Sequence, residues 1–545
     1  MRARRLVLGT AAALVAAGAA SASCSSILGL EPPPTGDAAS AGEDSGVPLD
    51  ATTGDAAGEA AVPEGGTDAA SEAAVCLGLD AGDGSTTYYT FANAVIDDAG
   101  THPWTYFEPS NVNTLSRDFQ GGAFDGRYVY FAPNGSGTVT RYDTHGSFTT
   151  FASWTTFDTT TLSPNAAGFD GAVFDGRYVY FVPGHSAAGY TGVVARFDTT
   201  MAATFTAGAP AWSTFDMGTL PVPDGGLPTV GFGGATFDGE YVYFAPYYDG
   251  TVHLSRAVRY NPEGGPPSGP LDAGEGGAGE AGTHDGGDAG PSDGGAHDAG
   301  DASIPEAGSN DAGDAGPPAF AVASQFSTYD LSTRNANAAG FLGALFDGQS
   351  VYTVPYGNNA GSDGVVMRYA IDAGFTSSGS WTPFDLTDVS ADAIGFMGAA
   401  FDGRFVYLVP HVKTIVARFD TQSGNVATKN AWSTFDISTV TAPDAGPPSY
   451  SGGAFDGRFI YFVPNPSATG ANGVVRYDTW SSFTSPCAWS LHDTSQDVAA
   501  ATDYYGAVYD GQYLYLVTKG TWVARYETKS NSAMPPLPAF YGSFY

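Results

Sequence analysis

One phrase, close to Gly-small-x-Phe-Asp-Gly-Arg-Tyr-Val-Tyr-x-x-Pro, occurs seven times in this chain, beginning at Gly121, Gly171, Gly234, Gly343, Gly398, Gly452 and Gly506. Each copy is followed by a short apolar stretch ending in Arg-Tyr or Arg-Phe, and then by Trp-x-x-Phe-Asp or a close variant. A unit this small buries its apolar face only against its neighbours. The 545 residues are therefore read as one continuous array, not as several domains. The ring positions Phe124, Phe174, Phe237, Phe346, Phe401, Phe455 and Tyr509 recur every 50 to 63 residues, apart from one longer step that holds a low-complexity insert.

In a copy such as Gly171 to Pro183, two apolar runs flank Asp-Gly, which predicts a hairpin with a two-residue turn. The second run is apolar throughout, so both its faces are expected to be buried between neighbouring sheets, and the closing Pro ends the strand. The third strand is predicted at Gly192 to Asp198 and the fourth at Trp212 to Asp216. Four antiparallel strands in about 50 residues make a propeller blade. The first strand opens on Gly followed by Ala or Gly, as expected of strands that crowd around an axis.

Fourth strands occur at Trp104, Trp154, Trp212, Phe326, Trp381, Trp432 and Trp489, but the first precedes every other strand and none follows the last repeat. The segment from Trp104 should therefore complete the C-terminal blade and remove the exposed edge of a linear array. The predicted fold is an all-β, seven-bladed β-propeller of four-stranded antiparallel blades, closed by its N-terminal strand.

The net charge of −36 lies largely outside the repeats: residues 26 to 75 carry 10 acidic and no basic side chains, and residues 261 to 318 carry 12 and none. Such stretches read as solvated linkers, so the expected organisation is a signal peptide at 1–23, an acidic tether at 24–84, the propeller at 85–545, and a low-complexity insert at 261–318 in the third blade. The insert lacks the ligand spacing of calcium-binding repeats, and no metal or cofactor is expected. Only 18 Lys and Arg follow the signal, which argues against a nucleic-acid partner; a monomer is expected.

The first residues carry Arg2, Arg4 and Arg5, the apolar run Leu6 to Ala20, and small residues before Cys24, as in an export signal. Ser21-Ala22-Ser23-Cys24 resembles the bacterial lipobox, although Ser21 stands where Leu is usual. That resemblance implies a lipid on Cys24 and a membrane partner, with Ser25 fitting outer-membrane sorting; ordinary cleavage after Ala22 is the alternative. Arg4-Arg5-Leu6-Val7-Leu8 also resembles a twin-arginine signal. Over residues 104 to 527 the repeats resemble those of uncharacterised bacterial propeller lipoproteins, a resemblance that implies a fold and an outer-membrane or cell-surface location but no activity. The other cysteines, Cys76 and Cys487, either form a disulfide or remain two thiols.

Two charged positions recur in every copy. They are Asp125, Asp175, Asp238, Asp347, Asp402, Asp456 and Asp510 in the turn, and Arg141, Arg196, Arg259, Arg368, Arg418, Arg476 and Arg525 on the third strand. A residue needed by every blade serves the scaffold, and the expectation is that each Asp pairs with an Arg of its own or the adjacent blade while accepting backbone hydrogen bonds. Function is then expected where blades differ, on the face carrying the loops between second and third strands. That face holds Asn134, Gly184, His185, Tyr247, Tyr248, Tyr356, His411, Lys413, Asn465, Lys519 and Trp522. Rings beside amides and a few charges suit glycan or protein recognition. A structural or assembly role, and a hydrolase or lyase built on His185 or His411, are the competing expectations.

Overall fold

The structure is a computed structural model and describes residues 103–222, 226–264, 320, 322–440, 448–465 and 473–528. The proposed signal, the tether with Cys24 and Cys76, and nearly all of the insert lie outside the described residues. The rest forms seven four-stranded antiparallel sheets, the propeller expected from the repeats.

In the first blade the strands run Phe119–Phe124, Tyr128–Pro133, Thr138–Asp143 and Trp154–Asp158, paired in that order. The innermost strands of the other blades are Phe169–Phe174, Phe232–Phe237, Phe341–Phe346, Phe396–Phe401, Tyr450–Phe455 and Tyr504–Tyr509. The last blade is completed by Trp104–Phe107, antiparallel to Val523–Glu527, with Trp104 opposite Tyr526 and Phe107 opposite Val523. Tyr106 also donates from its hydroxyl to Asp497 of the preceding blade at 2.6 Å.

Two local details differ from the sequence reading. The Asp-Gly turn spans three residues, and only its Gly takes positive φ, 96° at Gly126 and 99° at Gly176. The Asp contributes through its side chain: Asp125 Oδ1 accepts from the amides of Arg127 at 2.8 Å and Tyr128 at 2.6 Å, while Oδ2 accepts from the Tyr130 hydroxyl at 2.7 Å. The second difference concerns the Gly that opens each repeat. It sits at positive φ in a register shift of the innermost strand, 71° at Gly121 and 126° at Gly343. It is required by a bulge as well as by crowding.

The expected Asp–Arg pairing is corrected. No ion-pair contact joins Asp125 to Arg141, Asp175 to Arg196, or Asp402 to Arg418. Each of these guanidinium groups instead lies between two rings, one from its own second strand and one from the next blade. Arg141 is 4.0 Å from the Tyr128 ring centroid and 4.1 Å from that of Phe205. Arg196 lies between Tyr178 and Phe320, Arg259 between Tyr241 and Phe375, and Arg418 between Phe405 and Phe483. Arg525 reaches across the ring closure to Phe148 of the first blade at 4.6 Å. A planar cation suits this position because it stacks on both faces. Arg476 stacks on Phe459 of its own second strand, and Arg368 occupies the corresponding place in the fourth blade. Four ion pairs within blades use the Arg of the turn phrase: Arg127–Asp143 at 2.7 Å, Arg177–Asp198 at 2.8 Å, Arg404–Asp420 at 2.8 Å and Arg458–Asp478 at 2.7 Å; in the third blade Arg256 pairs with Asp330 at 3.9 Å.

The outer strands are fixed just as repetitively. The indole of Trp154 donates to the Phe148 carbonyl at 2.8 Å and that of Trp212 to the Phe205 carbonyl at 2.7 Å. The Asp that ends the strand caps the following turn, as Asp158 does for the Thr160 amide.

Candidate functional site

Against so regular a scaffold, one innermost-strand position stands out. The residue between the first aromatic and the bulge Gly is Gln120, Asp170, Gly233, Leu342, Met397, Ser451 and Tyr505 in successive blades. These seven share one register around the axis, at the end facing the second-to-third loops. No two are alike. The residue after each second strand sits above this ring: Asn134, Gly184, Tyr247, Tyr356, His411, Asn465 and Lys519.

Leu342, Met397 and Tyr505 pack with Tyr247 into one buried cluster, with Tyr190, Tyr248 and Tyr356 partly buried against it. Blades on opposite sides of the ring supply its members, so the cluster forms an apolar floor across the axis. Around it runs a string of aromatic contacts. His185 is edge-on to Tyr190 at 4.8 Å, Tyr190 to Tyr248 at 5.3 Å, Tyr247 to Tyr356 at 5.9 Å, and Tyr356 lies 5.7 Å from His411. Lys519 closes the string by donating to the Tyr505 hydroxyl at 2.8 Å.

The opposite part of the rim is polar. Asn134 Nδ2 donates to Gln120 Oε1 at 2.5 Å and to Asp170 Oδ1 at 3.0 Å, joining two blades through one amide. Asp170 is 3% exposed, and burial pushes its carboxyl well above the ordinary range, offset only by the Asn134 hydrogen bond. A Cβ on Gly184 would collide with that carboxylate, which explains the glycine at this position alone among the seven. Asp118, just before the first innermost strand, has φ 55°, where four other blades place Gly168, Gly231, Gly340 and Gly395 at 59° to 69°. Burial raises its carboxyl too, against the lowering effect of Lys519.

His411 is held on three sides. Its Nδ1 is 2.9 Å from the Tyr450 carbonyl, Asn465 Nδ2 is 3.5 Å from Nε2, and its own carbonyl accepts from Ser449. Burial keeps the ring below the usual imidazole range, hence neutral at pH 7. Among the described residues no carboxylate lies within hydrogen-bond distance of His185 or His411.

Of the eight sequence candidates, His185, Tyr247, Tyr248, Tyr356, His411 and Lys519 come together here. Lys413 stands apart, exposed and paired with Asp392 at 2.9 Å, and Trp522 packs into the core between the last two blades. Cys487 is disulfide-bonded, and Cys76 lies outside the described residues. The sequence reading missed the axial ring because its members occupy a variable position just before the repeated phrase. They align only once the bulge register is known. The opposite face has a groove of about 280 Å³ between the second and third blades, lined by Arg177, Glu240 and Glu263 among others.

No family model and no curated protein sequence matches the chain. Among solved structures, virginiamycin B lyase from Staphylococcus aureus is similar at 14% identity and TM-score 0.45, over 78% of this chain and 99% of that one. The WD40 β-propeller domain of Doa1 is similar at 8% identity and TM-score 0.42, over 76% of this chain and 94% of that one.

Proposed function

We propose that this chain is a binding module that takes a glycan or protein ligand at the axial mouth on its second-to-third loop face, carried at a bacterial envelope by a lipid on Cys24. The observation that carries the reading is the axial ring. In a molecule whose blades repeat turn, stack and cap, the seven same-register residues around the axis all differ, and they divide into an apolar floor and a polar rim. Scaffold needs do not call for that division. A ligand with an apolar face and a hydrogen-bonding edge does.

The test is labelled full-length protein on paired glycan and peptide arrays, alongside Tyr248→Ala and Tyr356→Ala, both partly buried rim positions. Loss of signal in both variants is expected, and full retention in both would move the ligand away from the mouth. Palmitate incorporation by wild type but not by Cys24→Ala is the expected result for the anchor.

A further inference from the structure

Building on the axial mouth as the binding site, we infer that its ligand is a neutral saccharide, whose hydroxyls meet Gln120, Asp118 and Asp170 while an apolar ring face lies on the tyrosines. Two buried polar atoms on the rim lack partners, and they are of opposite kind. Gln120 is 0% exposed, its Oε1 is engaged by Asn134, and its Nε2 donor has no acceptor. Asp118 Oδ1 is an acceptor with no donor. Leaving such atoms unmet is costly, so whatever answers them is held with corresponding strength.

The two signs narrow the chemistry. An ammonium or guanidinium group donates only, and would answer Asp118 and Asp170 but not the Gln120 amide. A carboxylate accepts only, and a phosphate is chiefly an acceptor, so either would answer the Gln120 amide but not the acceptor oxygens of Asp118 and Asp170. A hydroxyl does both, and adjacent hydroxyls on one ring present donor and acceptor side by side. On this side the two carboxylates pack tightly against glycine backbone. A Cβ on Gly135 would lie 2.8 Å from Asp118 Oδ2, and one on Gly184 would strike Asp170. Asp118 itself stands at positive φ where four blades use glycine, a backbone conformation that a non-glycine residue adopts only at a cost. Across the mouth, Tyr248 and Tyr356, partly buried against the Tyr247, Leu342 and Met397 cluster, offer aromatic surface of the kind on which the C–H face of a sugar packs.

The test is calorimetry of the full chain with D-glucose, D-galactose, D-mannose, their N-acetylamino forms and any saccharide found on the glycan array. Methylammonium and inorganic phosphate serve as charged comparators. Asp170→Asn keeps the shape and the Asn134 contact, and Gln120→Leu removes both amide ends. Each is expected to weaken saccharide binding roughly 10-fold to 100-fold, the penalty for stranding a hydroxyl in a site shaped to bond it. Should either variant fail to fold, Tyr356→Ala supplies the same comparison from the opposite wall. Mouth-dependent binding of peptides with none of saccharides would overturn this inference and leave the binding-module reading standing. Methylammonium or phosphate binding that depends on Asp170 would overturn it in favour of an ion. Absence of any saccharide binding would mean that water alone meets the orphaned atoms, and would also sink the inference.

Discussion

At the scale of single residues, the turn aspartates do more than end a strand. Asp125 gathers two amides and one tyrosine hydroxyl, and Asp175 and Asp510 repeat the arrangement through Tyr180 and Tyr515. Tyr180→Phe is expected to cost about 1 to 3 kcal/mol in urea unfolding, since it strands a buried carboxylate oxygen. For the stacked guanidinium groups the informative change keeps the charge. Arg418→Lys should lose about 1 to 2 kcal/mol because an ammonium cannot stack on Phe405 and Phe483 together, and wild-type stability would point back to simple ion pairing. Asp363, 8% exposed with Oδ2 buried and unpartnered, has its carboxyl raised by burial to about 6. A carboxyl whose folded pKa exceeds its unfolded value binds its proton more tightly in the native state. Its destabilising effect therefore grows as pH rises from about 4 through 6. Asp143, Asp420 and Asp478 are held below the usual range by Arg127, Arg404 and Arg458, and the stability they add disappears only in stronger acid. Between pH 7 and about pH 5 Asp363 should thus raise the thermal midpoint of the wild type while the depressed His411 and His253 lower it, and below about pH 3 the midpoint should fall as the ion-paired aspartates are protonated. Asp363→Asn should remove the first of these contributions from that profile.

At the scale of elements, what the sequence revealed and what it hid follow from distance along the chain. The hairpin, the closing Pro and the outer Trp strand are local, so their signals lie within a few residues and could be read directly. The stacked Arg is non-local. Its second ring comes from the next blade's third-to-fourth loop, so Phe205, Phe375 and Phe483 stand 64, 116 and 65 residues beyond Arg141, Arg259 and Arg418, far outside any local window. Phe320 is the extreme case. It is 3% exposed and covers Arg196, yet it stands alone two residues after the acidic insert, with no repeat signal of its own. Replacing residues 265–318 with a short Gly-Ser linker should leave the thermal midpoint unchanged within a few degrees. Phe320→Ala should lower stability by about 3 to 5 kcal/mol, the range for emptying a buried aromatic site. A large loss on insert replacement would mean that the insert packs on the blades.

At the scale of the whole molecule, the blade count and the offset closure were legible because they are matters of arithmetic. The axial ring was not, because seven dissimilar residues carry no repeat signal until the fold aligns them. The closure makes its own prediction: beginning the chain at residue 108 removes Trp104–Phe107 and bares the edge of Val523–Glu527. Such a chain should associate on size-exclusion chromatography, while a circular permutant that joins residues 103–107 after 528 should stay monomeric. Peptide mapping without reduction should find Cys487 joined to Cys76, and a link to Cys24 would contradict the lipid anchor. The closing strand also has a mechanical meaning. Any pull delivered through residues 1–102 arrives at Trp104, the first residue of the four-residue ladder that latches the ring. Tension from upstream therefore loads the latch before any other part of the propeller, unless a cross-link from that upstream segment to Cys487 diverts the force into the neighbouring blade.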